Sequence, residues 1–163
     1  MHSGVDIEGL RTVADYQFGA GAGAALFATD ESPEIERSRN GRPKRISVDG
    51  ERLVSVGAGE RFTLGIEGGK RLLAALDAPA ARVVVGDESE PFVRDGRNVF
   101  AKFVTEVGSE IRARDEVAVV HEDGTLLAVG RAELDANAML DFDSGVAVKV
   151  RSGVPAEEEE KEE

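Results

Sequence analysis

Between residues 10 and 18 apolar side chains recur at spacings of three and four, namely Leu10, Val13, Ala14 and Phe18. That is the period of one buried helix face and predicts a short helix. Gly19, Gly21 and Gly23 follow, then the small apolar stretch 24–27, which predicts a turn and a second, closely packed helical segment. Residues 33–44 are polar and basic, with Asn40, Gly41 and Pro43 as turn punctuation, and read as a mobile loop. Three short apolar runs, 46–48, 53–56 and 62–66, are separated by Asp49-Gly50 and by residues 57–60, the spacing of a three-stranded meander. Residues 70–76 offer one or two helical turns, and the stretch 77–81, with Pro79, marks a boundary between two subdomains.

Beyond it, residues 82–85 form a continuous β-branched run, the pattern of a strand buried on both faces. Residues 88–95 predict a short helix closed by Gly96, a natural C-terminal cap. Residues 99–107 are β-prone, and 116–120 with 125–129 bracket Asp123-Gly124, the clearest hairpin signal in the chain. A last helical turn fits 136–142. In 145–151 the alternation is strict, with Val146, Val148 and Val150 on one side and Ala147, Lys149 and Arg151 on the other. Five or six short strands and two short helices imply a closed or nearly closed β-barrel. Residues 153–163 are an acidic run, expected to be disordered.

Composition narrows the class. The chain has 163 residues, enough for one ordinary domain or two small ones. Without cysteine there is no disulfide framework, thiolate zinc site or cysteine nucleophile. No stretch approaches the roughly 20 apolar residues of a membrane-spanning helix, and no signal-peptide pattern opens the chain. A cytoplasmic protein with no membrane association is expected. The net charge of −12 opposes nucleic-acid binding at first sight. Yet acidic residues are spread along the whole chain and arginine outnumbers lysine, the signature of a halophilic, salt-adapted proteome. In molar salt the screening length shrinks to roughly 3 Å, so local contacts decide.

Candidate chemistry is sparse. The glycine cluster at 19–23 follows a helical pattern instead of leaving a strand, so it fails as a dinucleotide loop and reads as close packing of small residues. His2 and His121 have no evident partner set, and Asp15, Asp115 and Asp141 read as solvated carboxylates, so no catalytic residue, metal site or cofactor is expected. The basic cluster Arg37, Arg39, Arg42, Lys44 and Arg45 reverses the acidic background; phosphate contact and plain surface charge are both open readings. Between 94 and 102 lie Arg94, Gly96 and Arg97 at a helix end, with Asn98, Phe100 and Lys102 alternating along one strand face. Cations, an amide and a ring are what single-stranded RNA recognition uses. Spacing alone favours a buried Phe100, because seven phenylalanines must supply much of the core of a tryptophan-free chain.

The run Arg82-Val-Val-Val-Gly-Asp-Glu-Ser-Glu-Pro-Phe-Val-Arg-Asp-Gly-Arg-Asn-Val-Phe-Ala-Lys-Phe-Val resembles the first half of the PUA domain of archaeal tRNA-guanine transglycosylase and archaeosine synthase. Asp115-Glu-Val-Ala-Val-Val, Leu127-Ala-Val-Gly-Arg-Ala and Gly145-Val-Ala-Val-Lys-Val-Arg resemble its later strands in the same order. Upstream, Ala14-Asp-Tyr-Gln-Phe-Gly-Ala-Gly-Ala-Gly with Leu26-Phe27 is similar to the small domain that precedes PUA in those enzymes. The resemblance implies an α+β chain, with a pre-PUA domain at 8–78 and a PUA-type β pseudo-barrel with two short helices at 81–152. It also implies docking on tRNA or another structured RNA, in an accessory role to tRNA modification or translation. By position-matching it assigns RNA contact to Arg94, Gly96, Arg97, Asn98, Phe100, Lys102, Arg131, Lys149 and Arg151. The catalytic barrel of the family, with its aspartate nucleophile and zinc site, has no counterpart in these residues, so no transglycosylation is expected of them alone. A protein-interaction subunit of an RNA-modification enzyme, touching little or no RNA, is the rival reading that the acidic composition favours.

Overall fold

The computed structural model of the chain describes residues 2–57, 59 and 61–156, with side chains from residue 7 onward. The chain divides into two compact units, Met1–Asp77 and Ala78–Glu163.

The first unit opens with α1 (His2–Phe18), which starts well before the apolar stripe that announced it. Leu10 and Ala14 of that stripe are buried, while Val13 and Phe18 are half-buried. α2 (Ala22–Leu26) packs so closely on α1 that a Cβ added at Gly23 would collide with the Arg11 carbonyl. The Gly23 N–H also donates to the Asp15 carboxylate at 2.7 Å. Within the glycine cluster Gly23 is thus a packing residue, whereas Gly19 and Gly21 have open space around them and take left-handed turn conformations with φ 114° and 97°. A four-stranded antiparallel sheet follows in chain order, β1 (Glu34–Arg37), β2 (Pro43–Val48), β3 (Glu51–Val56) and β4 (Phe62–Leu64). Gln17 joins helix to sheet, donating to the Phe62 carbonyl at 2.9 Å and accepting from its N–H at 2.8 Å. α3 (Ile66–Ala75) is tied to the turn after α2 by Arg71, which donates to both oxygens of Glu31 at 2.5 and 2.8 Å. That bond lowers the Glu31 pKa and raises that of Arg71.

One expectation fails in this unit. The stretch 33–44 is not a loop: β1 pairs with β2 from Glu34 opposite Ser47 to Arg37 opposite Pro43, and the Ser38 N–H closes the turn on the Arg42 carbonyl at 2.8 Å. Ile35 is the only apolar residue of β1, so backbone pairing at a sheet edge makes this strand, and hydrophobic periodicity carries no trace of it.

The second unit is a six-stranded, nearly closed sheet in the order β6-β10-β9-β8-β5-β7. Its strands are β5 (Arg82–Val85), β6 (Val99–Phe100), β7 (Val104–Val107), β8 (Glu116–His121), β9 (Leu126–Ala132) and β10 (Val146–Gly153). β5 runs parallel to β8 and antiparallel to β7, which explains its fully buried β-branched run. Two short helices, α4 (Glu90–Arg94) and α5 (Ala136–Asp141), complete the unit. The core is aliphatic, built on residues such as Val83, Val85, Val117, Val119, Leu127 and Met139.

Three local expectations are corrected here. Residues 99–107 are not one strand, because a 3-10 turn at Ala101–Phe103 separates β6 from β7. The alternation along β10 is broken by register shifts after Val146 and after Val150, with Ala147 and Val148 both buried. The start of the acidic tail is held: Gly153 ends β10, the Val154 N–H donates to the Leu127 carbonyl at 2.8 Å, and Arg94 donates to the Val154 carbonyl at 3.0 Å. Residues 157–163, the rest of that tail, lie outside the described residues.

The phenylalanines also depart from expectation. Only Phe27 and Phe62 are fully buried, edge to face with centroids 5.8 Å apart in the first unit. Valine and alanine fill the second core instead, which leaves Phe92 and Phe100 of that unit at the surface.

Candidate nucleic-acid interface

α4 presents one residue to the core, Val93, and ends in a Schellman turn. The Arg97 N–H bonds the Phe92 carbonyl at 3.0 Å and the Gly96 N–H bonds that of Val93 at 2.9 Å. Gly96 takes the left-handed conformation that closes it, with φ 94°. The chain then reverses into β6, so Phe92 and Phe100 flank one groove of about 320 Å³, which Glu88, Ser89, Arg97 and Phe103 also line. Phe92 is 55% and Phe100 47% exposed, an unusual use of rings in a unit with an all-aliphatic core. Lys102 places its Nζ 5.2 Å from the Phe103 ring centroid, within cation–π range. Arg97 and Lys102 are exposed and have no ion-pair partner among the described residues.

A second group of cations lies on β9 and β10. Arg131 faces Lys149 across the two strands, and Glu116 of β8 faces Arg131. Arg131, Lys149 and Arg151 with Val150 line a hollow of about 240 Å³. Two of these cations are already paired, Arg131 with Glu133 at 3.0 Å and Arg151 with the buried Glu116 at 2.5 Å. Lys149 has no ion-pair partner among the described residues. β10 pairs with β6 on its other side, and the Asn98 side-chain oxygen accepts the Val150 N–H at 3.0 Å. One strand thus links the two clusters.

The structure redistributes the roles expected of the sequence-derived residues. Arg97 and Phe100 are exposed and line the groove, and Lys102 is exposed beside it, over the Phe103 ring. Asn98 and Lys102 do not alternate on a common strand face, because β6 ends at Phe100 and Lys102 lies in the 3-10 turn. Arg94 is committed to the fold: it holds Glu90 at 2.8 Å and the Val154 carbonyl, and its side chain is 15% exposed. Gly96 serves as a helix cap, with open space where a Cβ would stand. Phe92, Phe103, Glu88 and Ser89 escaped sequence reasoning; the reversal of the chain at Gly96 brings Phe92, Glu88 and Ser89 beside β6, and the 3-10 turn after β6 brings Phe103.

Two further clusters belong to the map. His121 has the partners that its position beside a turn did not reveal: Nε2 lies 2.5 Å from Asp87, Nδ1 lies 3.2 Å from Asp123, and Asp87 chiefly, then Asp123, raises its pKa. In the first unit Arg42 and Lys44 rim a cavity of about 700 Å³ that Leu10, Val13, Val56 and Phe62 also line. Arg37 bonds the Gly41 carbonyl and Lys44 lies 3.7 Å from Glu36, while Arg39 and Arg45 are exposed.

Residues 8–79 match the patch-forming domain C2 of tRNA-guanine transglycosylase and residues 81–154 match the PUA domain, so the chain carries these two domains in that order. The chain is 48% identical over 150 residues to the tRNA-guanine(15) transglycosylase of Methanothermobacter thermautotrophicus, a match taking in 91% of this chain and 23% of that protein. Against the Pyrococcus abyssi enzyme of the same name it is 47% identical over 146 residues, 89% of this chain and 24% of the relative. It thus spans about a quarter of their length and corresponds to their C-terminal part.

Among solved structures, a hypothetical protein of Pyrococcus horikoshii superposes with a TM-score of 0.72 at 21% identity, over 91% of this chain and 89% of that one. A PUA domain from Aeropyrum pernix gives 0.66 at 19% identity, over 90% and 80%. These two likenesses establish the fold. Among the described residues no helix is long and apolar enough to cross a membrane.

Proposed function

We propose that this chain is a noncatalytic RNA-docking module that holds tRNA, or another structured RNA with a single-stranded end, for a tRNA-modification enzyme or the translation apparatus. One observation carries the reading: two exposed phenylalanines and the unpaired Arg97 line a single groove, with Lys102 against the Phe103 ring at its side, on a unit whose core needs no aromatic residue. A base stacked on Phe92 or Phe100 contributes about 1–3 kcal/mol. Arg97 and Lys102 then meet the flanking phosphates, and Lys149 extends the cationic track along β10. The names of the relatives support tRNA as the ligand.

The test is retention of labelled tRNA and of a short single-stranded RNA by the full chain and by its Arg97→Glu/Lys102→Glu variant. Both positions are exposed, so the variant should keep its circular-dichroism spectrum and lose RNA. Undiminished binding would remove the groove from the account.

A second reading has its own support: Arg131 and Arg151 are already satisfied by glutamates, and the net charge is −12. In that reading the chain is a protein-interaction subunit. Co-purification from its own cells separates the two, since a stoichiometric enzyme free of RNA would favour the subunit and bound tRNA the docking module.

A further inference from the structure

The end of β8, the turn after β5 and the first turn of α4 bring together side chains that the RNA groove does not use. Asp87, Glu90 and His121 each offer one ligand atom, and these atoms all lie within 4.8 Å of one another. An imidazole and two carboxylates on three different elements are a mixed donor set suited to a borderline divalent cation. The imidazole is held from behind by the Asp123 carboxylate, which lies 3.2 Å from Nδ1 and can accept its proton. This arrangement leaves Nε2 facing Asp87. A carboxylate behind a histidine ring is the support that metal-bound imidazoles use. Glu90 is steadied in its turn by the Arg94 Nε at 2.8 Å, and Arg94 is anchored on the Val154 carbonyl. Asp87 is 92% exposed, so it is free to move the short distance that gathers the donors around an ion.

We propose that His121, Asp87 and Glu90 form a binding site for a divalent transition cation of the Zn²⁺ class, with Asp123 as a positioning residue. The cation replaces the proton between His121 and Asp87 and leaves its remaining coordination positions to water. Bound there, it clamps the end of β8 to α4, the helix whose Phe92 forms one side of the groove.

The experiment is calorimetric titration of the chelator-treated full chain with ZnCl₂ alone, joined to NMR of the His121 ring protons. Saturable one-site binding with a shift at His121, and no heat from MgCl₂, is the expected result. Asp87→Asn and His121→Asn, each checked by circular dichroism, should abolish it. Asp123→Ala should weaken it by about tenfold while keeping the stoichiometry. His2→Asn, at the chain's other histidine, should bind like the parent. Absence of saturable binding overturns the site, and so does equal affinity in a folded His121→Asn or Asp87→Asn variant or equal binding of Mg²⁺. Because Asp87→Asn alters only an exposed side chain, loss of fold in the histidine variant leaves the decision to it.

Discussion

Gly96 fixes where Arg97 begins. Its left-handed backbone closes α4 and hands the next residue to the rim of the groove. Gly96→Ala should therefore cost about 1 kcal/mol in denaturant unfolding and weaken RNA binding together with it, although no side chain at 96 touches anything. His121 gives a pH-dependent outcome at the same scale. Its pKa is raised from the ordinary value of 6.5, first by Asp87 and then by Asp123. The contribution of the pair is fully present below 6.5 and disappears as pH rises through the higher folded-state value. An NMR titration in chelator should place the His121 midpoint above 6.5, and Asp87→Asn should bring it down. Residue-scale chemistry was only partly legible. The cations around 94–102 could be named from their types, but which of them are spent on the fold could not. Arg94 and Arg97 look alike in sequence and differ because only Arg94 meets Glu90 and the carbonyl of Val154.

At the scale of elements, the legible parts were those with a burial signature, α1 and the all-buried β5, and those with turn chemistry, Asp49-Gly50 and Asp123-Gly124. β1 was invisible because an edge strand with one apolar residue looks polar throughout. The break after Phe100 was invisible because the 3-10 turn that makes it is as apolar as the strands on either side. The paired helices of the first unit supply a test of packing. Gly23→Ala forces a methyl against the Arg11 backbone and should destabilise the chain by about 1–3 kcal/mol, read as a shifted urea midpoint. The phenylalanines give the complementary contrast. Phe62→Ala should lose about 3–5 kcal/mol of stability because it is buried against Phe27. Phe100→Ala should leave the unfolding midpoint nearly unchanged and lower RNA affinity by about 1–3 kcal/mol. A weak effect on RNA with a large effect on stability would make Phe100 a packing residue.

For the whole molecule, electrostatics sets the terms. A chain of net charge −12 can hold an anion only through local groups, so its binding should respond to salt in proportion to the few cations engaged. Removing Arg97 and Lys102 should flatten the slope of log affinity against log salt by roughly 0.7 per lost contact on single-stranded RNA. An undiminished slope in a variant that still binds would move the contacts elsewhere. The PUA resemblance was readable from the chain, whereas the sheet order and the gathering of Phe92, Phe100 and Phe103 around one groove depend on how the sheet curls. That curl has another outcome. The outermost strands, β6 and β7, are consecutive in sequence and spliced by only three residues, Ala101–Phe103. A ribbon whose two margins are sewn together by so short a stitch offers little open backbone for a stranger's strand to join. Slackening the stitch with inserted glycines would unpick the margin, and crowded solutions of such a variant would be the place to look for intermolecular cross-β association.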